Sequence, residues 1–151
     1  MVEWITPIFD RTQGDVSFAI TKIKEWRESG STDTYELKGC LNVSDINRIE
    51  NDIQYLSVAL SSLYYFPHTV SKEWGTSGLP DMSDILRITE NVTKIISAYT
   101  QSSEAPEVPD NMLTVEQINN IEENLYLIKE ILESMIPSFR NCGTFECGEE
   151  Y

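Results

Sequence analysis

The stretch NVSDINRIENDIQYL, residues 42–56, decides the fold because its pattern occurs three times in the chain. DMSDILRITENVTKI at 81–95 and TVEQINNIEENLYLI at 114–128 repeat the same order of polar and apolar residues. In each copy the apolar residues step by three and four positions, which places them in one stripe along an α-helix. The stripes are Ile46, Ile49, Ile53, Leu56, Leu60 and Leu63; Ile85, Ile88, Val92, Ile95 and Tyr99; and Ile118, Ile121, Leu125, Ile128, Leu132 and Met135.

Each copy also opens with the signature of a helix N-terminus. A capping residue is followed three positions later by a side chain that can bond back to it. A weaker fourth copy near the N-terminus precedes a shorter stripe of Val16, Ala19, Ile23 and Trp26. The cap pairs are Thr12 with Asp15, Asn42 with Asp45, Asp81 with Asp84, and Thr114 with Gln117.

These signals predict four helices, at about 12–28, 42–64, 81–100 and 114–136. Pro137 and the region of Gly143 are expected to end the last helix, leaving a C-terminal tail at 137–151. Because each stripe is apolar on one side only, the four helices are expected to face one another. The predicted fold is mainly α: a small bundle of about four capped amphipathic helices in a single domain, 1–151.

The segments between the helices are rich in β-branched and aromatic residues, which favours extended structure. They are WITPIF (4–9), TYELKG (34–39), TVSKEW (69–74) and GTFEC (143–147). We expect short extended pieces beside the bundle, paired as a ribbon of two or three strands. Asp52, Asn91 and Asn124 share one position of the repeat, and two interpretations stay open for them: a hydrogen bond to a neighbouring extended segment, or exposure to solvent.

Charged side chains on the predicted helices have a simple interpretation as solvated surface. Asp45 with Arg48, and Asp84 with Arg87, have the i,i+3 spacing of weak surface ion pairs. Glu122 and Glu123, together with a row at seven-residue spacing, are interpreted as an outward acidic face. That row comprises Glu116, Glu123 and Glu130.

The chain carries a formal net charge of −14, from 11 basic and 25 acidic residues. Residues 101–151 alone hold 11 acidic residues against two basic ones. Such a field repels nucleic acid and anionic membranes. No signal peptide and no apolar run of about 18 residues is present. We therefore expect a protein made in a cytoplasm that binds neither nucleic acid nor membrane.

Few residues could carry chemistry. His68, the only histidine, has no nucleophile or orienting group near it in sequence and is interpreted as a turn residue. Cys40, Cys142 and Cys147 could complete a tetrahedral zinc site with His68, since zinc accepts both ligand types. The chain has no C-x-x-C pair, however, and the simple interpretation is three free thiols. The sequence predicts a protein that is not an enzyme, without catalytic, cofactor or metal residues.

Four motifs in order along nearly the whole chain resemble a known family. WITPIFDRTQGDV, LKGCLNVSDINRIENDIQYL, DMSDILRITENV and NNIEENLYLIKEILESMIPSFRNCGTFECGE are similar to small domains encoded among the phage and prophage structural genes of Gram-positive bacteria. The resemblance implies a helical module of tail or baseplate-associated proteins and no catalytic residues. Because the chain stops at Tyr151, we expect a stand-alone subunit instead of the anchor of a longer fibre.

The leading hypothesis is a non-enzymatic virion structural or adaptor subunit that assembles with other tail proteins or with itself. Trp4, Trp74, Phe145 and Tyr151, in the extended segments and the tail, are its candidate interaction residues. An alternative is an acidic inhibitor that mimics nucleic acid and blocks a host or defence protein, which the charge of −14 favours. A zinc-stabilised module through the cysteines is a third interpretation.

Overall fold

Four helices make up the regular structure of the chain. The structure, a computed structural model, describes residues 2–31, 36–75, 78 and 80–142, and of 138–142 the backbone alone. The helices are α1 (Gln13–Ser29), α2 (Val43–Ser62), α3 (Met82–Ala98) and α4 (Val115–Cys142). The predicted mainly α fold is confirmed, and each helix begins at the residue after its predicted cap.

The predicted capping pairs all form, which explains the accuracy of the helix starts. In each pair the backbone N–H of the cap donates to the side chain three residues later, at distances from 2.7 Å at Thr12 to 3.3 Å at Asp81. These bonds satisfy donors that a helix start leaves without a partner. Local sequence alone therefore fixes where the helices begin.

The core lies between α2, α3 and α4, which all contact one another. Every stripe residue of these helices is buried except the last of each, namely Leu63, Tyr99 and Met135. Burying an isoleucine or leucine side chain contributes about 1.5–3 kcal/mol. Three apolar stripes that close on one another are thus enough to hold the bundle.

Helix α1 does not join this core, so the expectation that all four helices face one another was wrong. Ala19 is its only buried residue, and Ile23 of its predicted stripe is 39% exposed. The stripe of α1 is short and begins with the small residues Val16 and Ala19, and the other three stripes already close on each other. The bundle therefore has three helices, and α1 lies on its outside.

The connector after α1 fixes the position of that helix. Gly39 lies so close to the first turn of α1 that an added Cβ would stand 2.1 Å from the Asp15 carbonyl oxygen. Only glycine permits such a backbone approach. Lys38 adds an ion pair with Asp10, with 2.8 Å between Nζ and Oδ2. Helix α1 is thus held by its neighbours in the chain.

Three extended segments cross the bundle: segment 1 (residues 2–11), segment 2 (64–75) and segment 3 (101–112). The predicted ribbon was wrong, because none of the described residues forms a strand. The segments lie against helices and bond to helix side chains instead of to one another. Of the other predicted extended pieces, GTFEC lies outside the described residues and TYELKG lies there in part.

Helix α4 is longer than expected and includes Pro137. A proline removes one backbone donor, but its φ suits a helix, so the chain loses a hydrogen bond and does not have to stop. The predicted tail therefore begins as helix up to Cys142. Within the described part of the chain, no helix combines the length and the apolar character that crossing a bilayer requires.

The position of α1 gives a direct stability test. Ile53→Ala in the three-helix core should lower the free energy of unfolding by about 2–5 kcal/mol, as loss of a buried aliphatic side chain does. Ile23→Ala on α1 should change it by less than about 1 kcal/mol, because that side chain is already partly exposed. Urea denaturation followed by circular dichroism measures both. Equal losses would contradict the assignment of α1 to the outside.

Candidate functional site

The shared repeat position of Asp52, Asn91 and Asn124 holds the three extended segments. The Asp52 Oδ1 accepts from the Ile5 N–H at 3.1 Å. Asn91 bonds both backbone groups of Val70, with Oδ1 accepting at 3.2 Å and Nδ2 donating at 2.8 Å. All three side chains are buried. Of the two interpretations left open by the sequence, the bond to an extended segment is confirmed.

Segment 3 shows how the same position adapts to proline. Asn124 Nδ2 donates to the Pro106 carbonyl at 2.9 Å, as Asn91 does to Val70. Pro106 has no N–H to donate in return. The Gln101 side chain supplies the missing donor instead, with 2.9 Å between its Nε2 and Asn124 Oδ1. The amide at this position is therefore satisfied on both sides.

A second repeat position, directly after the first core isoleucine, binds the segments further along. Asn47 accepts from the Trp74 N–H at 2.8 Å and donates to the Trp74 carbonyl at 2.9 Å. Asn119 makes the same pair of bonds with the backbone of Arg11, at 3.3 and 2.9 Å. An amide side chain carries both N–H donors and a carbonyl acceptor, so it can match both backbone groups of one residue.

Four charged side chains form a closed, buried ring between segment 1, α2 and α4. The guanidinium of Arg11 contacts Asp45 at 2.8 Å and Glu122 at 2.9 Å. Arg48 contacts the same two carboxylates, at 2.6 and 2.7 Å. All four are less than one-tenth exposed. Two positive and two negative charges therefore neutralise one another away from solvent.

A related cluster joins α2 to α3 and segment 2. Glu50 is buried and accepts from Arg87, with 3.0 Å between Oε2 and Nη1. The Trp74 indole N–H donates to Glu50 at 3.3 Å, and the Lys72 backbone N–H does so at the same distance. A single carboxylate thus connects three elements of the fold.

These contacts follow a cyclic order around the bundle. In each pair, the arginine lies two positions after the first core isoleucine of its helix. The glutamate lies four positions after the first core isoleucine of the preceding helix in the cycle, where α4 precedes α2. The pairs are Arg48 with Glu122, and Arg87 with Glu50. The third pair would be Asn120 with Thr89, where both charges are absent from the sequence. Two of the three interfaces between α2, α3 and α4 therefore hold an arginine–glutamate pair at equivalent positions of the repeat.

Two interpretations of surface charge were therefore wrong. Glu122 does not belong to an outward face, because it is 1% exposed and bonds two arginines. Asp45 and Arg48 are buried and not a surface pair. Burial raises the pKa of Asp45, but the Asn42 N–H and the Arg48 guanidinium outweigh it and hold that pKa below its ordinary value.

Asp52 has the opposite electrostatic environment. Burial raises its pKa to about 7, and the hydrogen bonds from the Ile5 N–H and Asn51 offset only part of that effect. Its second oxygen, Oδ2, is buried without a hydrogen-bond partner. The equivalent side chains in the other two repeats are neutral amides, which need no such compensation. Asp52 is thus the least satisfied member of its repeat position.

The predicted metal candidates are not brought together in the described part of the chain. Cys40 is half-buried beside the start of α2, and burial raises the pKa of its thiol. His68 is exposed in segment 2, with a left-handed φ of 52°. Cys142 is the last residue of α4, and Cys147 lies outside the described residues. No group of three potential ligands occurs among the residues described.

Of the predicted interaction residues, the two tryptophans lie in extended segments and pack against the core. Trp74 is 7% exposed and packs in the core, with Lys72 Nζ 3.9 Å from the centre of its ring. Trp4 is partly buried and meets Tyr55 edge-on at 5.4 Å. Both act as packing anchors of their segments. Phe145 and Tyr151 lie outside the described residues.

An open groove of about 860 Å³ runs along the outer face of α2 between segments 1 and 2. Its lining combines the amides of Asn47, Asn51 and Gln54 with charged and apolar side chains. Asn47 and Asn51 already bond the backbones of the flanking segments, so the protein's own chain uses these amides.

Sequence reasoning missed the buried ring, although a signal for it was present. Arginine recurs at the same repeat position in two copies, Arg48 and Arg87, and glutamate does so at Glu50 and Glu122. A charged residue that recurs in register next to a core stripe indicates a constraint that a solvated face would not impose.

Comparisons of the chain with protein-family models, curated proteins and solved structures find no match.

Removing one carboxylate tests the ring. Glu122→Gln leaves Arg11 and Arg48 with fewer negative partners in a buried setting, which typically costs about 3–5 kcal/mol. Glu123→Gln, the matched control next to it and outside the ring, should cost less than about 0.5 kcal/mol. Denaturant unfolding at constant pH compares them. A Glu122→Gln chain as stable as the control would show that the ring does not hold the bundle.

Proposed function

We propose that the protein is a non-enzymatic structural or adaptor subunit of a phage virion, associated with the tail or baseplate and acting by protein–protein assembly. The resemblance of four motifs to phage structural domains supports this proposal. So does the use of the buried polar side chains: those of the two clusters and of the repeat positions bond one another or the protein's own backbone.

The observation that carries the proposal is the apolar outer surface of α1. Ile20 is 63% exposed and Ile23 is 39% exposed, on a helix that contributes nothing to the core cluster. These two residues are three positions apart and lie on the same side of the helix. Exposed apolar side chains grouped on one element are typical of a contact surface. Helix α1 holds three basic residues, Lys22, Lys24 and Arg27, against three acidic ones, Asp15, Glu25 and Glu28. It therefore offers an apolar patch on a helix of zero net charge.

The second candidate is the acidic inhibitor that mimics nucleic acid, which the charge of −14 favours. The two functions predict a different dependence of partner binding on the salt concentration. Contacts that imitate a phosphate backbone weaken steeply as the salt concentration rises, whereas apolar contacts do not. A partner that dissociates from the protein as the salt concentration rises from about 0.1 M to about 0.5 M would support the inhibitor function.

Mass spectrometry of purified phage particles tests the structural proposal. The protein should be present in particles that survive density-gradient purification, together with tail proteins. Its consistent absence from particles, in a lysate that contains it, would contradict a virion role.

The α1 surface can be tested by substitution. A chain carrying Ile20→Ser and Ile23→Ser should bind its tail partner or itself at least about tenfold more weakly, because buried apolar contacts dominate interface energy. Its free energy of unfolding should change by less than about 1 kcal/mol, since both side chains are exposed. Val58→Ser, on the outer face of α2 and 58% exposed, is the matched control. Equal loss of binding in the control would remove α1 as the contact surface.

A further inference from the structure

One of the three segment-holding positions differs chemically from the other two. Asn91 and Asn124 each donate an amide proton to a segment carbonyl, that of Val70 or Pro106. Asp52 occupies the same repeat position and accepts from the Ile5 N–H. Its Oδ2, the counterpart of the amide nitrogen, is buried and bonds nothing. A carboxylate cannot donate, whereas a carboxylic acid can.

Segment 1 is also the segment that its chain connections hold least. Segments 2 and 3 lead into the helices that bind them, α3 and α4, within a few residues. Segment 1 is separated from α2 by the whole of α1 and the connector that follows it. Its own bonds must therefore keep it on the bundle, and the bond between Ile5 and Asp52 is one of them.

We propose that Asp52 is a proton-operated latch for segment 1. When Asp52 is protonated, Oδ2 donates to the Ile5 carbonyl, in the manner in which Asn91 bonds both backbone groups of Val70. When Asp52 is ionised, it keeps only the bonds that Oδ1 accepts from the Ile5 N–H and from Asn51, and it leaves a charge in a buried site. Loss of the proton therefore loosens residues 2–8 from α2 while the three-helix core stays intact.

The charges around Asp52 are consistent with this behaviour. Glu122 on α4 raises the pKa of Asp52, and Arg48 on its own helix lowers it. Both of these groups are committed to the buried ring with Arg11 and Asp45, so neither provides a close partner for Oδ2. Further along α4, Lys129 faces the Trp4 ring at 5.4 Å. Segment 1 offers Asp52 the backbone N–H of Ile5, while its positive side chain, Arg11, pairs with Asp45 and Glu122.

The direction of the pH effect follows from linkage. The pKa of Asp52 is about 7 with the segment docked, against an ordinary value of 3.8. The docked state binds the additional proton, so docking is strongest below the ordinary value. Docking weakens as the pH rises from that ordinary value towards 7, and its strength no longer changes above pH 7. The change approaches about tenfold per pH unit, since one pKa unit is a factor of ten.

Amide hydrogen exchange on the full chain tests the latch. After correction for the intrinsic rate, protection of the Ile5 amide should fall by up to about tenfold per pH unit between pH 5 and 7. In Asp52→Asn the protection should be high and independent of pH. In Asn91→Asp, protection of the Val70 amide should become dependent on pH. Protection of the Ile5 amide should depend on pH as it does in the original chain.

Three outcomes would overturn the latch. One is an Asp52→Asn chain that keeps the pH dependence at Ile5. Another is an Asp52→Asn chain that does not fold, because an amide serves this position in both other repeats. The third needs no variant: carbon NMR of the Asp52 carboxyl in the unaltered protein should show a midpoint near neutrality. A midpoint close to that of an exposed aspartate would exclude the proton-operated step.

Discussion

The structure depends on one constraint: extended backbone is buried against helices without a sheet to satisfy it. The backbone groups of a helix are already bonded within the helix, so segments 1 to 3 must find side-chain partners. Buried backbone groups left unpaired would cost about 1–3 kcal/mol each. Asparagine meets this requirement well because its amide pairs with both groups of one residue. The recurring polar positions of the repeat, Asn47 and Asn91 among them, are explained by this constraint.

The buried charges serve the same arrangement. Each charged cluster joins two helices to the segment between them: Glu122 connects α4, α2 and segment 1, and Glu50 connects α2, α3 and segment 2. A buried ion pair adds little net stability compared with apolar packing, but separating its members is costly. Such clusters therefore penalise any other order or register of the helices. The interface of α3 and α4 relies on apolar contacts, with neutral Thr89 and Asn120 at the corresponding positions.

The differences between the three repeats coincide with the features on which the proposals rest. Helix α1 and its connector interrupt the first repeat, remain outside the core and present Phe18 and Ile20 to solvent. The same interruption leaves segment 1 attached mainly by its own bonds. Asp52 then places an ionisable group where the other repeats have an amide. The proposed assembly surface thus lies on the inserted helix α1, and the proposed proton-sensitive segment directly precedes it.

The sequence by itself determined the helices, their starts and their core faces, because caps and apolar periodicity are local properties. The stripe from Ile46 to Leu60 and the cap at Thr114 could be identified without any knowledge of the fold. Periodicity also put Asp52, Asn91 and Asn124 in one class, although it did not say whether they were buried.

Only the tertiary structure decided which apolar stripes pack against one another and which charged side chains are buried. Glu122 and Glu123 are neighbours with the same chemistry, yet Glu122 is enclosed by Arg11 and Arg48 from distant parts of the chain while Glu123 is not. Helix α1 had a correct period and a correct cap, but no place remained for it between three stripes that already closed on one another. The free energy of burial belongs to contacts between elements, and for that reason the pattern within one element could not predict it.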